Sequence, residues 1–410
     1  MPPLAAPAGT AASAVRKVRP VFVAQAVLVG SALALYAVVL IQGGWYHQDL
    51  DAYLAAGRAV LNGQPLYDPF LHHPFPDPAL RPAYIYPPAF ALLVAPLDLL
   101  SRAAANIVWL LVGQAALAVA VVLALRWLRP AAWALTAILC ATATFYPLWI
   151  DAIQGQANLL VLLLVLVGIA GIVQGKPRLA AALGVAAALK LTPLILLGWL
   201  LLDRRLREAS WMLGAFVGIT AAAALLRFDD TLIFFRQVLP ALAQGSAIYA
   251  NQSLQGVVAR VATSNAYTQP WTVLPWAHLV AAILVAALVA VWFFRTRQQP
   301  ALVRAAAFLP LLPLASSVTW PHHLVLLLPV IWLAFIAIDE RGWPLPSTIA
   351  MGLLLLLFSV VARWPVGPAF NQPGFRAAQT ADAVVFVVAN ALFFGTLALF
   401  LLAPWLLRSR

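Results

Sequence analysis

Runs of about 17 to 25 almost uninterrupted apolar residues recur between positions 21 and 407, each long enough to cross the hydrocarbon core of a bilayer as a helix. Inside lipid an unpaired backbone group has no water to bond, so only helices or a closed barrel can span it. These runs are continuous Leu, Ala and Val, unlike the alternating segments of about ten residues that build a barrel. The chain is therefore expected to be an all-α polytopic membrane protein. Composition agrees: 64% hydrophobic and 9% charged residues, with a mean hydropathy of +0.93, leave too little polar surface to cover a water-soluble globule.

The formal net charge of +12 raises the question of nucleic acid. Its lysines and arginines are scattered at the ends of apolar runs instead of gathered in a patch, so membrane topology accounts for them, and no nucleic-acid partner is expected. The single cysteine, Cys140, lies within an apolar run and has no partner for an intramolecular disulfide. No Cys/His cluster has zinc spacing, so neither a metal nor another cofactor is expected.

Residues 1–20 are rich in Ala and Pro and end in Arg16, Lys17 and Arg19. They read as a disordered cytoplasmic tail, followed by an uncleaved first helix, because the apolar run 21–41 is too long for a signal-peptide core and lacks a small-residue cleavage site. Positions 21–407 then form one integral domain. The segment 86–100 is apolar but short and proline-bounded, and is expected to be re-entrant or interfacial. Further segments are expected near 104–126, 131–149, 158–174, 179–202, 211–226, 277–294, 303–318, 323–338, 346–362 and 382–405. Lys190 and Pro193 interrupt the stretch 179–202, which reads as two short helices meeting at a polar break, an arrangement tolerated in membranes only where it lines a cavity. Counting that pair as two gives about twelve transmembrane segments, with both termini in the cytoplasm by the positive-inside rule.

On this topology the polar features gather on the extracytoplasmic side of a plasma-membrane protein. The longest is the loop 45–88, which carries Asp49, Asp51, Tyr53, His72, His73 and Tyr86 between two apolar segments. Asp49 and Asp51 open an amphipathic helix closed by Gly63. Either is explained as a helix-terminal carboxylate, and either can act as a general base toward a substrate hydroxyl. His72 and His73, in a proline-rich stretch, read as solvated or loop-packing. Lys190 within AALKLTP costs roughly 2.5–3.5 kcal/mol near a membrane centre; it must snorkel to an interface or meet an anion such as a phosphate. Gln154, Gln156 and Asn158 offer neutral hydrogen-bonding groups that suit sugar hydroxyls or simply start a helix. Asn251 and Gln252, followed by Arg260, repeat that choice, Arg260 being suited to phosphate. His322 and His323 are adjacent, so they diverge on a helix, and hydrogen bonding to a phosphate or carboxylate fits them better than metal ligation.

Taken in order, DLDAYLAAGRAVLNGQPLY, YIYPPAFALLVAPL, GQANLLVLLL, ALKLTPLILLGWLLLDRR, NQSLQG and SVTWPHHLVLLLP resemble glycosyltransferase family 87, the membrane mannosyltransferases of the GT-C superfamily. The resemblance covers most of the chain. It implies a GT-C-like helical bundle with extracytoplasmic loop helices, and a polyprenyl-phosphate sugar donor, commonly of mannose. It implies transfer on the extracytoplasmic face, with inversion, to a glycolipid or glycan acceptor. The family's catalytic Asp falls within a D-L-x-x-Y pattern, which here covers positions 49–53 and favours Asp49 over its rival Asp51. Lys190, Arg260, His322 and His323 become candidates for the donor phosphate. Tyr53, Tyr86, Gln154, Gln156, Asn158, Asn251 and Gln252 become candidates for the sugar or acceptor.

Two other functions fit the spans and the buried lysine. One is a transporter or flippase of lipid-linked sugars, although no inverted repeat is visible and that function gives Asp49 no task. The other is an oligosaccharide ligase, for which more acidic metal ligands or more arginines would be expected.

Overall fold

The computed structural model describes residues 9–43, 47–72, 83–359 and 374–408. Among the described residues every regular element is helical and no strand occurs, as the apolar runs require. Positions 45, 46 and 73–82 of the long polar loop, His73 with them, lie outside the described residues.

The first helix, α1 (Gly9–Gly43), begins well before the apolar run. The tail expected to be disordered over 1–20 is thus helical from Gly9 onward, in keeping with the high helix propensity of its alanines. After it come α2 (Gln48–Leu61) and α3 (Asp68–His72). The expected interfacial segment is α4 (Pro88–Val94), which tightens into a 3-10 turn at Ala95–Leu99. A long helix, α5 (Arg102–Leu128), is capped by the Ser101 hydroxyl, which accepts from the Ala104 amide at 3.3 Å.

A bent pair follows, α6 (Ala132–Ala143) and α7 (Tyr146–Gln154), with axes 44° apart. It leads into α8 (Asn158–Val173). The expected break at Lys190 is present. Helix α9 (Ala181–Leu189) ends there, Lys190 is extended (φ −150°, ψ 116°), a 3-10 turn runs over Thr192–Ile195, and α10 (Leu196–Leu202) resumes. Helix α11 (Leu206–Leu226) packs closely on α9. At Gly184 a Cβ would stand 2.0 Å from the Met212 carbonyl oxygen, so only glycine permits that approach.

The remaining α-helices among the described residues are α12 (Phe228–Ile233), α13 (Leu239–Ala243), α14 (Leu254–Ala262), α15 (Ala277–Thr296), α16 (Ala301–Phe308), α17 (Leu311–Ala315), α18 (Leu328–Glu340), α19 (Leu345–Leu357), α20 (Phe375–Ala381), α21 (Ala383–Ala389) and α22 (Ala391–Leu406). A 3-10 turn, Pro321–Leu327, leads directly into α18.

Among the described residues, five helices are long and apolar enough to cross a membrane singly, or seven if each bent pair counts as one span. The expectation of about twelve spans is not met in that form, because prolines and breaks cut other apolar runs into helices of 10–17 residues. The protein is a multi-pass membrane protein whose interior is unevenly distributed. The span Pro321–Glu340 is largely buried inside the bundle and the stretch Val21–Gly43 of α1 is largely exposed, so the former is the central post and the latter faces outward.

Two apolar clusters organise the bundle. The larger surrounds Leu324–Ile338 and takes in residues from α5, α8, α10, α16 and α22. The second is aromatic and sits under α2, where Tyr53, Tyr67, Tyr84, Phe90, Trp109 and Phe234 meet. Edge-to-face contacts join Tyr53 to Phe90, Tyr86 and Trp109 at 4.8, 5.3 and 5.9 Å, the geometry ring quadrupoles favour. Arg58 on α2 holds Asp98 of the neighbouring 3-10 turn at 3.0 Å. Helix α2 is thereby docked on the bundle. At the far end of the segment that starts near Lys190, Arg304 forms a two-oxygen ion pair with Asp203 (Nε to Oδ1 2.9 Å, to Oδ2 3.0 Å) and stacks 4.7 Å from the Trp292 ring centroid.

Candidate active site

Helix α2 carries its acids in the first turn, but its N-cap is His47, without a side-chain capping bond. Neither Asp49 nor Asp51 is therefore the cap, though both still lie where the helix dipole favours negative charge. Two residues apart on a helix means roughly 200° of rotation, so the two carboxylates face opposite ways. Asp51 turns outward and pairs with Arg102 of α5 at 2.8 Å. Asp49 turns inward and meets Gln156.

Gln156 is delivered by the α7–α8 junction. The helix ends at Gly155 in the left-handed region (φ 69°), and the Gln156 amide folds back to the Asp151 carbonyl at 2.9 Å. Trp109 Nε1 donates to the Gly155 carbonyl at 2.7 Å, fixing the turn from the α5 side. A Cβ at Gly155 would lie 2.7 Å from His47 Cβ, so glycine here serves both the turn and the approach of α2.

Both ends of the Gln156 amide are used. Its Nε2 donates to Asp49 Oδ2 at 2.5 Å. Its Oε1 accepts from the Tyr53 hydroxyl at 3.0 Å and the Tyr86 hydroxyl at 3.2 Å, and lies 3.5 Å from Lys190 Nζ. Lys190 donates more closely to Asn158 Oδ1, at 2.7 Å, and Asn158 Nδ2 donates to Asp151 Oδ1 at 2.7 Å. The ammonium also lies 5.1 Å from the Tyr86 ring centroid, close enough for a cation–π contact. Tyr86 is held by the Tyr67 hydroxyl on its carbonyl at 2.7 Å. Lys190 is only 7% exposed, so it does not snorkel; it meets polar groups inside the bundle.

The 3-10 turn Pro321–Leu327 packs on α7 and brings His322 Nδ1 to 2.6 Å from Gln154 Oε1. The His322 Nε2 is buried and without a hydrogen-bond partner. His323 Nδ1 accepts from the Trp320 amide at 3.3 Å, and the two imidazoles stack edge to face at 4.7 Å. Both rings lie within electrostatic reach of Lys190.

Three other sequence candidates are placed differently. Asn251 donates to the Ser246 and Ser317 carbonyls at 2.9 and 3.0 Å and accepts from the Thr319 amide at 2.9 Å. Gln252 donates to the Tyr249 and Ala389 carbonyls at 2.7 and 2.9 Å and accepts from the Phe393 amide at 3.0 Å. Arg260, fully buried, donates to the Ile248 carbonyl at 2.8 Å and to Asn390 Oδ1 at 2.6 Å. These bonds go to the loops and helix ends around α14 and α21. A sequence cannot distinguish an amide that awaits a ligand from one that satisfies buried carbonyls, since the same donors do both.

Two further polar side chains adjoin this cluster. Asp151 is almost wholly buried, and its signal was a lone carboxylate in the apolar stretch YPLWIDAI. His47 is fully buried beside Asn106 and Arg102; its signal in the sequence is its position immediately before the acidic turn.

Electrostatics around α2 follow from burial. Desolvation raises the Asp49 carboxyl above its ordinary range, opposed by the Gln156 bond and the Lys190 charge. Burial likewise raises the Tyr53 and Tyr86 hydroxyls, with the Asp49 charge adding to it. Burial lowers His47, with Arg102 adding to the effect. No three His, Cys, Asp or Glu side chains gather as a metal-ligand set among the described residues. A groove of about 560 Å³ is lined by Pro240, Ala243, Gln255, His278, Ala282 and Leu314 among others. Its wall on α17 packs against the turn Thr192–Ile195, just beyond Lys190.

The family model for glycosyltransferase family 87 matches residues 84–317. The chain is 28% identical over 362 residues to a polyprenol-phosphate-mannose-dependent alpha-(1-2)-phosphatidylinositol mannoside mannosyltransferase of Mycobacterium tuberculosis, covering 82% of this chain and 80% of that one. A protein of the same description from Mycolicibacterium smegmatis is 28% identical over 350 residues, covering 78% of this chain and 77% of that one. Among solved structures, ArnT from Cupriavidus metallidurans bound to undecaprenyl phosphate superposes with a TM-score of 0.41 at 18% identity, covering 92% of this chain and 77% of that one.

Proposed function

The chain belongs to glycosyltransferase family 87, and from that premise we propose that it transfers a mannosyl group from a polyprenyl-phosphate mannose to a hydroxyl of a glycolipid acceptor. The donor and acceptor classes are those named for its mycobacterial relatives. Family membership sets aside the transporter reading. The observation that carries the proposal is the bond chain Asp49–Gln156–Lys190, which sets a carboxylate with a raised proton affinity and a buried ammonium in one polar cluster.

In this mechanism Asp49 accepts the proton of the acceptor hydroxyl as its oxygen attacks the anomeric carbon. The bond from that carbon to the donor phosphate oxygen breaks, and the lipid phosphate departs with the electron pair. One displacement gives inversion. Lys190 stabilises the departing charge, and the unpartnered His322 Nε2, an acceptor because Nδ1 donates to Gln154 Oε1, is open to a hydroxyl of the sugar or acceptor. Lys190 offsets part of the charge on the departing phosphate monoester, and no step of this mechanism calls on a metal.

Tyr53, Tyr86 and Asn158 flank the same amides and form the wall for the sugar or acceptor. The groove beside α17 takes the isoprenoid chain. The basic flanks of the apolar runs support a cytoplasmic location for both termini and an extracytoplasmic one for this site. The test is transfer by the Asp49→Asn variant from polyprenyl-phosphate mannose to a phosphatidylinositol mannoside. Transfer at the wild-type rate overturns the role of Asp49.

A further inference from the structure

We propose that Asp151 is a positioning residue that, through Asn158, draws Lys190 away from Asp49 and so leaves Asp49 free to act as base. The inference rests on the glycosyl-transfer reading for its consequence, but its structural core stands on the bonds alone.

The site holds two inward-facing carboxylates and one ammonium, and neither carboxylate touches the ammonium directly. Each is separated from it by a single amide. Gln156 stands between Asp49 and Lys190, and Asn158 stands between Asp151 and Lys190. A carboxylate only accepts hydrogen bonds and an ammonium only donates them, whereas a carboxamide presents a donor at one end and an acceptor at the other. Asp151 accepting from Asn158 Nδ2 therefore dictates that Asn158 Oδ1 faces Lys190. Without the acceptor-only carboxylate of Asp151, Lys190 alone would hold the Asn158 amide in this orientation.

The two arms are unequal. Lys190 Nζ is 2.7 Å from Asn158 Oδ1 but 3.5 Å from Gln156 Oε1, which already accepts from two tyrosines. The ammonium thus sits on the Asp151 side. A direct Asp49–Lys190 ion pair would instead stabilise the Asp49 carboxylate and blunt it as a base. The other charges near α2 are engaged elsewhere: Arg102 with Asp51, and Arg58 with Asp98. Tyr53 and Tyr86 face Asp49 with their protons on Gln156. Control of the base through charge is left to the balance between Lys190 and Asp151.

The experiment has two arms. Thermal unfolding in detergent of Asp151→Asn, Lys190→Met and the double variant needs no substrate. Each single change strands a buried charge, and the expected loss is about 5 °C or more apiece; the double variant is expected to be more stable than either single one. Losses that simply add overturn the coupling. The second arm follows transfer from polyprenyl-phosphate mannose to a phosphatidylinositol mannoside against pH. Asp151→Asn is expected to move the acidic limb down by about one unit, and to have no such effect in the Lys190→Met background. An unmoved limb overturns the proposal. Should Asp151→Asn alone not fold, the double variant is still expected to unfold at a higher temperature than Lys190→Met, and a double variant that unfolds below Lys190→Met overturns the proposal. Absence of transfer by the wild-type protein would count against the functional reading alone, and the unfolding arm would still decide this one.

Discussion

Gln156 Nε2 lies 2.5 Å from Asp49 Oδ2, while Asp51, on the same turn of helix, is tied to Arg102 at 2.8 Å on the other face. One carboxylate is thus aimed into the polar cluster and the other fastens α2 to α5. Replacing Asp49 by Asn should lower transfer by about 10²-fold or more. Replacing Asp51 by Asn removes a half-exposed ion pair worth about 0–1 kcal/mol, and should lower transfer less than about fivefold. Initial rates of mannosyl transfer in detergent check both, and equal losses would show that the two acids had been misassigned.

The pH profile should carry the mark of Asp49. Its proton affinity is raised by burial, and the base is the ionised form, so activity should fall with decreasing pH at a value above the usual carboxylate range. Gln156 donates to the ionised form and holds that affinity down. Gln156→Leu should therefore shift the acidic limb further upward. The stability sign is opposite to that of a salt-bridged acid: the native state binds this proton more tightly than the unfolded chain, so the group adds stability as pH falls. A limb that moves down in Gln156→Leu would contradict the assignment.

Lys190→Met should weaken donor binding about ten- to a hundredfold, since a hydrogen bond to a charged group is worth about 1.5–3 kcal/mol. Binding of polyprenyl phosphate itself, measured by displacement of a labelled analogue, separates this effect from chemistry. Unchanged affinity would confine Lys190 to a structural task.

If the groove beside α17 takes the isoprenoid chain, filling it should discriminate by chain length. Ala282→Trp should raise the KM for a long polyprenyl-phosphate mannose about tenfold or more, as lost burial of a few CH2 groups at ~0.8 kcal/mol each requires. It should leave a short-chain donor nearly unaffected. Equal effects on both donors would place the chain elsewhere.

Gly155→Ala should destabilise the protein by at least about 1–2 kcal/mol from the left-handed backbone alone. The collision with His47 adds to this, since the new Cβ would lie 2.7 Å from His47 Cβ. A lowered unfolding temperature together with a larger fall in kcat than in donor affinity is the expected result. An unfolding temperature equal to wild type would mean that the junction relaxes freely.

Local chemistry determined much of this protein before any fold was known. Long apolar runs in a chain with 9% charged residues permit only membrane helices. A lysine and a proline within one run required the break that Lys190 makes. The D-L-x-x-Y stretch favoured Asp49 only through its resemblance to the family's pattern, and left Asp51 as its rival. What the tertiary structure alone decided were the partners. The choice between Asp49 and Asp51 depends on α5 and the α7–α8 junction, which lie about 50 and 100 residues away in the chain. Asn251, Gln252 and Arg260 resemble site residues in composition, yet they bond loop carbonyls and Asn390. Asp151 resembled nothing in particular until Asn158 placed it opposite Lys190. Hydrogen bonds are directional and short, so which donor meets which acceptor is fixed only when distant segments are packed to within about 3 Å.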